Sequence, residues 1–213
     1  LAAALMLCFV FRMMCIIHKI RPCASARCRP AMAAAGLLHQ NVLKSKEKEA
    51  MYQETFMKRA LALSAKALET PGTEPFGAVV VKDGWVVGEG LNHSVANFDP
   101  TSHGEVEAIR DACRRLRSVD LAGCDLYTSC EPCALCVAAM RIVGIRELFY
   151  AASMEQAGQA FDGLPAAARH PIDVDDLRAE AGAPLALRKM PAQQHLADKA
   201  TEVLAAWAAP RKR

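Results

Sequence analysis

Between residues 1 and 46 this chain has no aspartate or glutamate. Seven of its 26 basic residues lie there (Arg12, Lys19, Arg21, Arg27, Arg29, Lys44 and Lys46), leaving 19 basic against 23 acidic residues in the remainder. The formal net charge of +3 therefore belongs to the leader, and the body is mildly acidic. A broad phosphate-binding surface needs clustered Lys and Arg, so the body's charge argues against a nucleic-acid partner. The run Arg110 to Arg117 reads as the solvated face of a helix. Aromatic residues are scarce as well, at 6% against 53% hydrophobic, which fits an Ala/Val/Leu-rich α/β protein and excludes a disordered one. The body carries no internal repeat and no low-complexity tract. A length of 213 residues predicts one domain with appendages, large enough to bury a core without disulfide staples.

No clean membrane span is present either. Residues 1–17 are nearly all apolar, but Arg12 interrupts them and the stretch only reaches the lower limit of roughly 17–25 residues. Its basic residues follow the apolar run, where a signal peptide would place them first. An Arg-rich leader without acids resembles an organelle transit peptide. The favoured expectation is translation begun upstream of the true start, at Met32 or Met51, because the chain opens on Leu. Residues 1–48 are thus expected to be a disordered or upstream-translated leader without a part in function. Residues 49–162 are expected to form the functional core, and 163–213 a C-terminal extension of the same domain.

Nine cysteines are present: Cys8, Cys15, Cys23 and Cys28 in the leader, and Cys113, Cys124, Cys130, Cys133 and Cys136 in the body. Three of the latter fall between positions 130 and 136, tight for a disulfide framework and suited to a metal. That usage predicts a reducing, cytoplasmic compartment.

Helical spacing of Met51, Phe56, Ala60, Leu63 and Ala67 predicts a helix over 50–68, ended by Thr70-Pro71-Gly72-Thr73. A hairpin follows: Phe76 to Val81, a turn at 82–84, then Trp85 to Gly88. A polar loop spans 92–102. A helix is expected over 103–117, a strand over 125–128, a helix over 132–142 with Pro132 in its first turn, and a strand over 147–151. This order predicts a three-layer α/β/α sandwich around a mixed sheet. Further on, a short helix near 154–161, a strand near 185–189 and a helix over 191–208 are expected.

The chemistry is concentrated in His103-Gly104-Glu105 and Pro132-Cys133-Ala134-Leu135-Cys136, each at an expected helix start. Zn²⁺ favours tetrahedral N/S ligation, and a catalytic site keeps one position open for water. Cys133 and Cys136 are three apart, so both thiolates can face one ion from a single helical turn. A helix start also favours the thiolate form. His103 completes the ligand set. Glu105 is read as the proton shuttle: a carboxylate beside the water that zinc activates takes its proton and passes it to the substrate and the leaving amine. The combination H-x-E…P-C-x-x-C is the signature of the zinc deaminases, matched here as a known pattern. A lone C-x-x-C would also suit a redox pair or a structural Cys₄ zinc site, but neither uses His103 and Glu105.

Phe76-Gly-Ala-Val-Val-Val-Lys-Asp-Gly84, Asp99-Pro-Thr-Ser-His-Gly-Glu-Val-Glu-Ala-Ile-Arg110 and Leu126-Tyr-Thr-Ser-Cys-Glu-Pro-Cys133 together resemble the bacterial guanine deaminase branch of the cytidine-deaminase-like superfamily. The likeness runs over about residues 51–162. Thr128 to Cys133 is its branch-specific piece. It implies an α/β/α fold, one Zn²⁺ per subunit, a small nucleobase as substrate and a homodimer with an exchanged C-terminal segment. It also implies that Asn92 hydrogen-bonds the base, Phe76 stacks on it, and Asp162 assists proton transfer. From the residues alone, Asn92 equally suits a turn, Phe76 a core position, and Asp162 a helix end or solvent. Cys130 reads as a small buried residue. Gly104 stands where the family carries Ala, which predicts a slightly larger or looser pocket floor. The tail around Trp207 lacks the family's terminal aromatic pattern, so cytosine, isocytosine and aminotriazines stay beside guanine as expected substrates. A tRNA adenosine deaminase and a non-catalytic zinc module are the competing classes.

Overall fold

The computed structural model describes residues 51–165 and 172–211. The expected leader, residues 1–48, lies outside them. Four strands form one mixed sheet among the described residues, in the order β2-β1-β3-β4. The elements run α1 (Glu54–Ala65), β1 (Glu74–Lys82), β2 (Trp85–Asn92), α2 (Gly104–Leu116), β3 (Asp125–Cys130), α3 (Ala134–Val143), β4 (Glu147–Ala152), α4 (Met154–Ala160), α5 (Val174–Gly182) and α6 (Ala197–Ala208). β1 is antiparallel to both β2 and β3, and β3 is parallel to β4 across the α3 crossover. No helix among the described residues is long and apolar enough to cross a membrane.

The layers follow from the two-residue period of a strand. On β1, Ala78 and Val80 face one side, where they pack with Val106, Ile109 and Ala112 of α2 and with Cys136 and Met140 of α3. Val79 and Val81 face the other side and meet Phe56, Met57, Ala60 and Leu63 of α1. β3 divides in the same way, Leu126 to the first layer and Tyr127 to the second. Tyr127 stacks on Phe149 with ring centroids 4.6 Å apart. Both faces of the central strands are buried, which is why they read as continuous apolar runs.

Glycines decide how closely the helices approach. A Cβ on Gly88 would lie 2.3 Å from the Ala108 carbonyl oxygen, and one on Gly90 would lie 2.1 Å from the Gly104 carbonyl oxygen. α2 therefore rests on β2 backbone to backbone. Gly144, at φ +80°, ends α3 and turns the chain into β4.

Beyond Ala152 the sequence expectations need correction. The strand expected near 185–189 is a 3₁₀ turn, Leu185–Leu187, with no strand partner in the sheet. Pro184 precedes it, and an isolated apolar run of that length does not distinguish strand from helical turn. α5 was not anticipated; its signal is Asp173, whose side chain caps the helix through the Asp176 N–H. The final helix begins at Ala197, six residues later than expected, after Leu196 in the left-handed conformation.

Two outcomes test this packing. Gly90→Ala should lower stability by about 3 kcal/mol in urea unfolding, because the colliding atoms belong to helix backbone. The second concerns Arg59, which binds Glu89 in a fork (Nε to Oε1 2.7 Å, Nη2 to Oε2 2.8 Å). That hydrogen bonding holds the Glu89 carboxyl below its ordinary 4.5. Its stabilisation is therefore present above that value and lost as pH falls through the lower folded pKa. Arg59→Met should cost about 1 kcal/mol or less at pH 7, and the difference from the parent should vanish on acidification.

Candidate metal centre and cavity

His103 and Cys133 occupy equivalent places, each the N-cap residue of the helix that returns across the sheet. Both have extended backbone (φ −70°, ψ 151° and φ −73°, ψ 172°), so their side chains leave the helix axis at its electropositive start. The loop before α2 is held by its own polar groups: His93 N–H donates to the Ser102 carbonyl, and Asp99 Oδ1 accepts from the Thr101 N–H and hydroxyl. Ser102, fully enclosed, donates to Glu107 Oε1. Arg110 pairs with Glu107 and Asp99, so this part of the basic run is engaged with carboxylates.

The three proposed ligands converge. His103 Nδ1 lies 3.5 Å from Cys133 Sγ and 3.4 Å from Cys136 Sγ, and the sulfurs are 3.8 Å apart. A tetrahedral zinc with Zn–S about 2.3 Å and Zn–N about 2.05 Å requires S···S near 3.8 Å and S···N near 3.6 Å. The donor set and its spacing fit zinc. Cys133 carries the charge most readily: hydrogen bonds from Cys136 and His103 bring its thiol down to about 4 despite burial. Cys136 is pushed upward by its bond to Cys133 and by burial. His103 is raised by its contact with the Cys133 sulfur, against the opposing effect of burial.

Glu105 is buried at the second position of α2, and burial drives its carboxyl above the ordinary range. Oε1 accepts from Thr128 Oγ1 at 3.3 Å, and Oε2 lies 3.4 Å from Cys136 Sγ. Glu105 borders a cavity of about 570 Å³ whose wall also includes Phe76, Asn92, His103 and Cys133. Phe76 is half-buried and meets Phe161 edge to face, with centroids 5.9 Å apart. Asn92 is buried at the end of β2; its Oδ1 accepts the Ser94 N–H at 2.9 Å, which closes the turn. One residue thus braces the loop and faces the cavity.

Two expected site residues stand elsewhere. Asp162 is exposed and off the cavity wall, one position beyond Phe161. Gly104 does not widen the pocket floor: a Cβ there would sit 2.2 Å from the Phe76 carbonyl oxygen, so β1 backbone occupies the space of the missing methyl. Sequence reading missed Glu131, Met154, Phe161, Ile172 and Val174 on the wall. Glu131 lies inside the branch-specific segment and accepts the Met154 N–H at 3.0 Å, a signal that could have found it. Each residue of that segment is engaged: Ser129 Oγ accepts the Gly77 N–H beside Phe76, and Cys130 lies on the cavity wall.

The model of the cytidine and deoxycytidylate deaminase zinc-binding region matches residues 51–152. Guanine deaminase of Bacillus subtilis is 46% identical over 110 residues, 52% of this chain and 70% of that protein. The chain belongs to this deaminase family. The X-ray structure of guanine deaminase from Bacillus subtilis superposes with a TM-score of 0.64 at 37% identity, covering 75% of this chain and 95% of that one. A tRNA-specific adenosine deaminase of Aquifex aeolicus is 39% identical over 102 residues, 48% of this chain and 67% of that protein. As a member of the family the chain is a zinc-dependent hydrolytic deaminase with the cytidine-deaminase-like α/β/α fold.

Metal removal tests the centre. The purified deaminase should hold one zinc per chain, and chelation should lower its melting temperature, since metal binding adds to folding free energy. Cys133→Ala should reduce zinc content sharply by elemental analysis, whereas Cys113→Ala, away from the ligand cluster, should leave it unchanged.

Proposed function

We propose that the enzyme deaminates a free nucleobase, guanine first, to the corresponding oxo base with release of ammonia. The observation that carries this reading is a half-buried aromatic and a buried Asn lining, with the buried carboxylate of Glu105, one cavity of about 570 Å³. The likeness to guanine deaminase over most of that protein's length supports guanine as the base. The mildly acidic body supports a small molecule over tRNA.

In this reading His103, Cys133 and Cys136 hold the zinc, and Glu105 carries protons. Zinc held there supplies Lewis-acid activation of water at neutral pH. Asn92 orients the base by hydrogen bonding, and Phe76 stacks on its ring. Water adds to the carbon that bears the amine while Glu105 takes one of its protons. The carboxyl, whose proton affinity burial has raised, delivers that proton to the base. The C–N bond then breaks, the amine leaves as ammonia with the second proton, and a carbonyl remains. Gly104 acts through backbone closeness to Phe76 and makes no contact with substrate in this scheme. Asp162, exposed outside the wall, is given no step.

The reading extends to assembly. A homodimer with the tail of one chain exchanged onto the other is supported by α6, which buries no residue and leaves Val203, Leu204 and Trp207 exposed. A cytoplasmic setting is supported by five free cysteines among the described residues.

Ammonia release from purine, pyrimidine and triazine bases, their nucleosides and tRNA tests the proposal. Guanine should turn over best, and activity confined to tRNA would overturn it. Glu105→Gln should retain zinc and lose turnover by about 10²–10⁴-fold.

A further inference from the structure

The two oxygens of Glu105 have partners of different kinds, a strand hydroxyl and a candidate metal ligand. Thr128 Oγ1 donates to Oε1 at 3.3 Å, while the Cys136 thiol, one of the candidate metal ligands, donates to Oε2 at 3.4 Å. Thr128 is fully enclosed on β3, opposite Ala78 of β1 and beside Tyr150 of β4. Nothing in the strand requires a hydroxyl there. Val has the same shape and an equal preference for strands, and an enclosed hydroxyl is costly unless it is bonded. Its partner is the carboxylate of Glu105. The terminal torsion of a glutamate is broad and two-fold, so an unheld carboxylate would present either oxygen. A proton carrier gains from a third group that fixes its orientation.

We propose that Thr128 is a positioning residue for the deamination: it fixes Oε1 of Glu105 and thereby assigns Oε2, on the ligand side, to proton transfer. The inference rests on the reading of Glu105 as proton carrier. Thr128 keeps its own proton throughout, and the stoichiometry of the reaction is unchanged. The residue lies off the cavity wall, so it acts through Glu105 and not on the base.

Zinc-loaded Thr128→Val and Thr128→Ser proteins test this, with the Glu105 carboxyl followed by ¹³C NMR and assigned by its loss in Glu105→Gln. A hydrogen bond to a charged group of this kind corresponds to about a 10- to 100-fold fall in kcat for Thr128→Val. KM should stay within about twofold and zinc content should not change, because neither the wall nor the ligand set is altered. Thr128→Ser should recover kcat to within about threefold, since the donor returns. The Glu105 signal should move in the Val protein and return in the Ser protein. Unchanged kcat in Thr128→Val overturns the inference. So does a Ser protein no better than Val, which would make the role one of volume, or a Glu105 signal that ignores both changes. If Thr128→Val does not fold, Thr128→Ala carries the same comparison against Ser. A parent protein inactive on every base would sink the functional reading alone, and the Glu105 signal would still decide the Thr128 contact.

Discussion

The approach of α2 to the β1–β2 hairpin governs the rest of the molecule. Helix and sheet come into backbone contact at Gly88, Gly90 and Gly104, where a Cβ would collide with the facing main chain. That closeness brings the first turn of α2 under the start of β1. His103 and Glu105 are then beside Phe76 and within reach of the helix that follows β3. Interiors packed at crystal-like density do not absorb an added methyl cheaply, so the positions of the catalytic groups are set by what these residues omit.

Burial does the remaining work on charge. Glu105 sits in an enclosed layer whose neighbours are Thr128, Cys136 and His103, with apolar side chains beyond. Desolvation alone would leave a carboxylate there poorly stabilised. Converging donors on one side and the candidate metal centre on the other make such a group tolerable. The same enclosure strengthens each electrostatic contact within it. One desolvated cluster therefore bears both on the packing of the first turn of α2 and on the raised proton affinity of Glu105.

The core fold was legible wherever a side-chain period or a turn residue had a local cause. The hairpin around Asp83-Gly84 and the helical spacing of Phe56, Ala60 and Leu63 in α1 belong to that class. The candidate ligand set was legible because metal chemistry restricts both residue type and spacing. The far wall of the cavity was not, since Phe161, Ile172 and Val174 reach it through tertiary packing that no short pattern encodes. Gly104 misled for a related reason: a missing methyl reads as space, but β1 backbone fills it. The tail resisted reading because α6 buries no side chain among the described residues, so no core face marks where the helix begins.

The placement of the ligands on two separate helix starts has a consequence for maturation. Cys133 and Cys136 lie on one helical turn, close in sequence, with their sulfurs 3.8 Å apart. His103 joins them only when β1 has found β3 and α2 has settled on the hairpin, since 30 residues separate it from Cys133. A site made of all three groups therefore exists only where the β1–β3 pairing is complete. An ion bound by the complete set would add its binding free energy to folding, so its retention would report strand pairing. A chain whose sheet is misassembled would bind its metal weakly and surrender it to any stronger chelator.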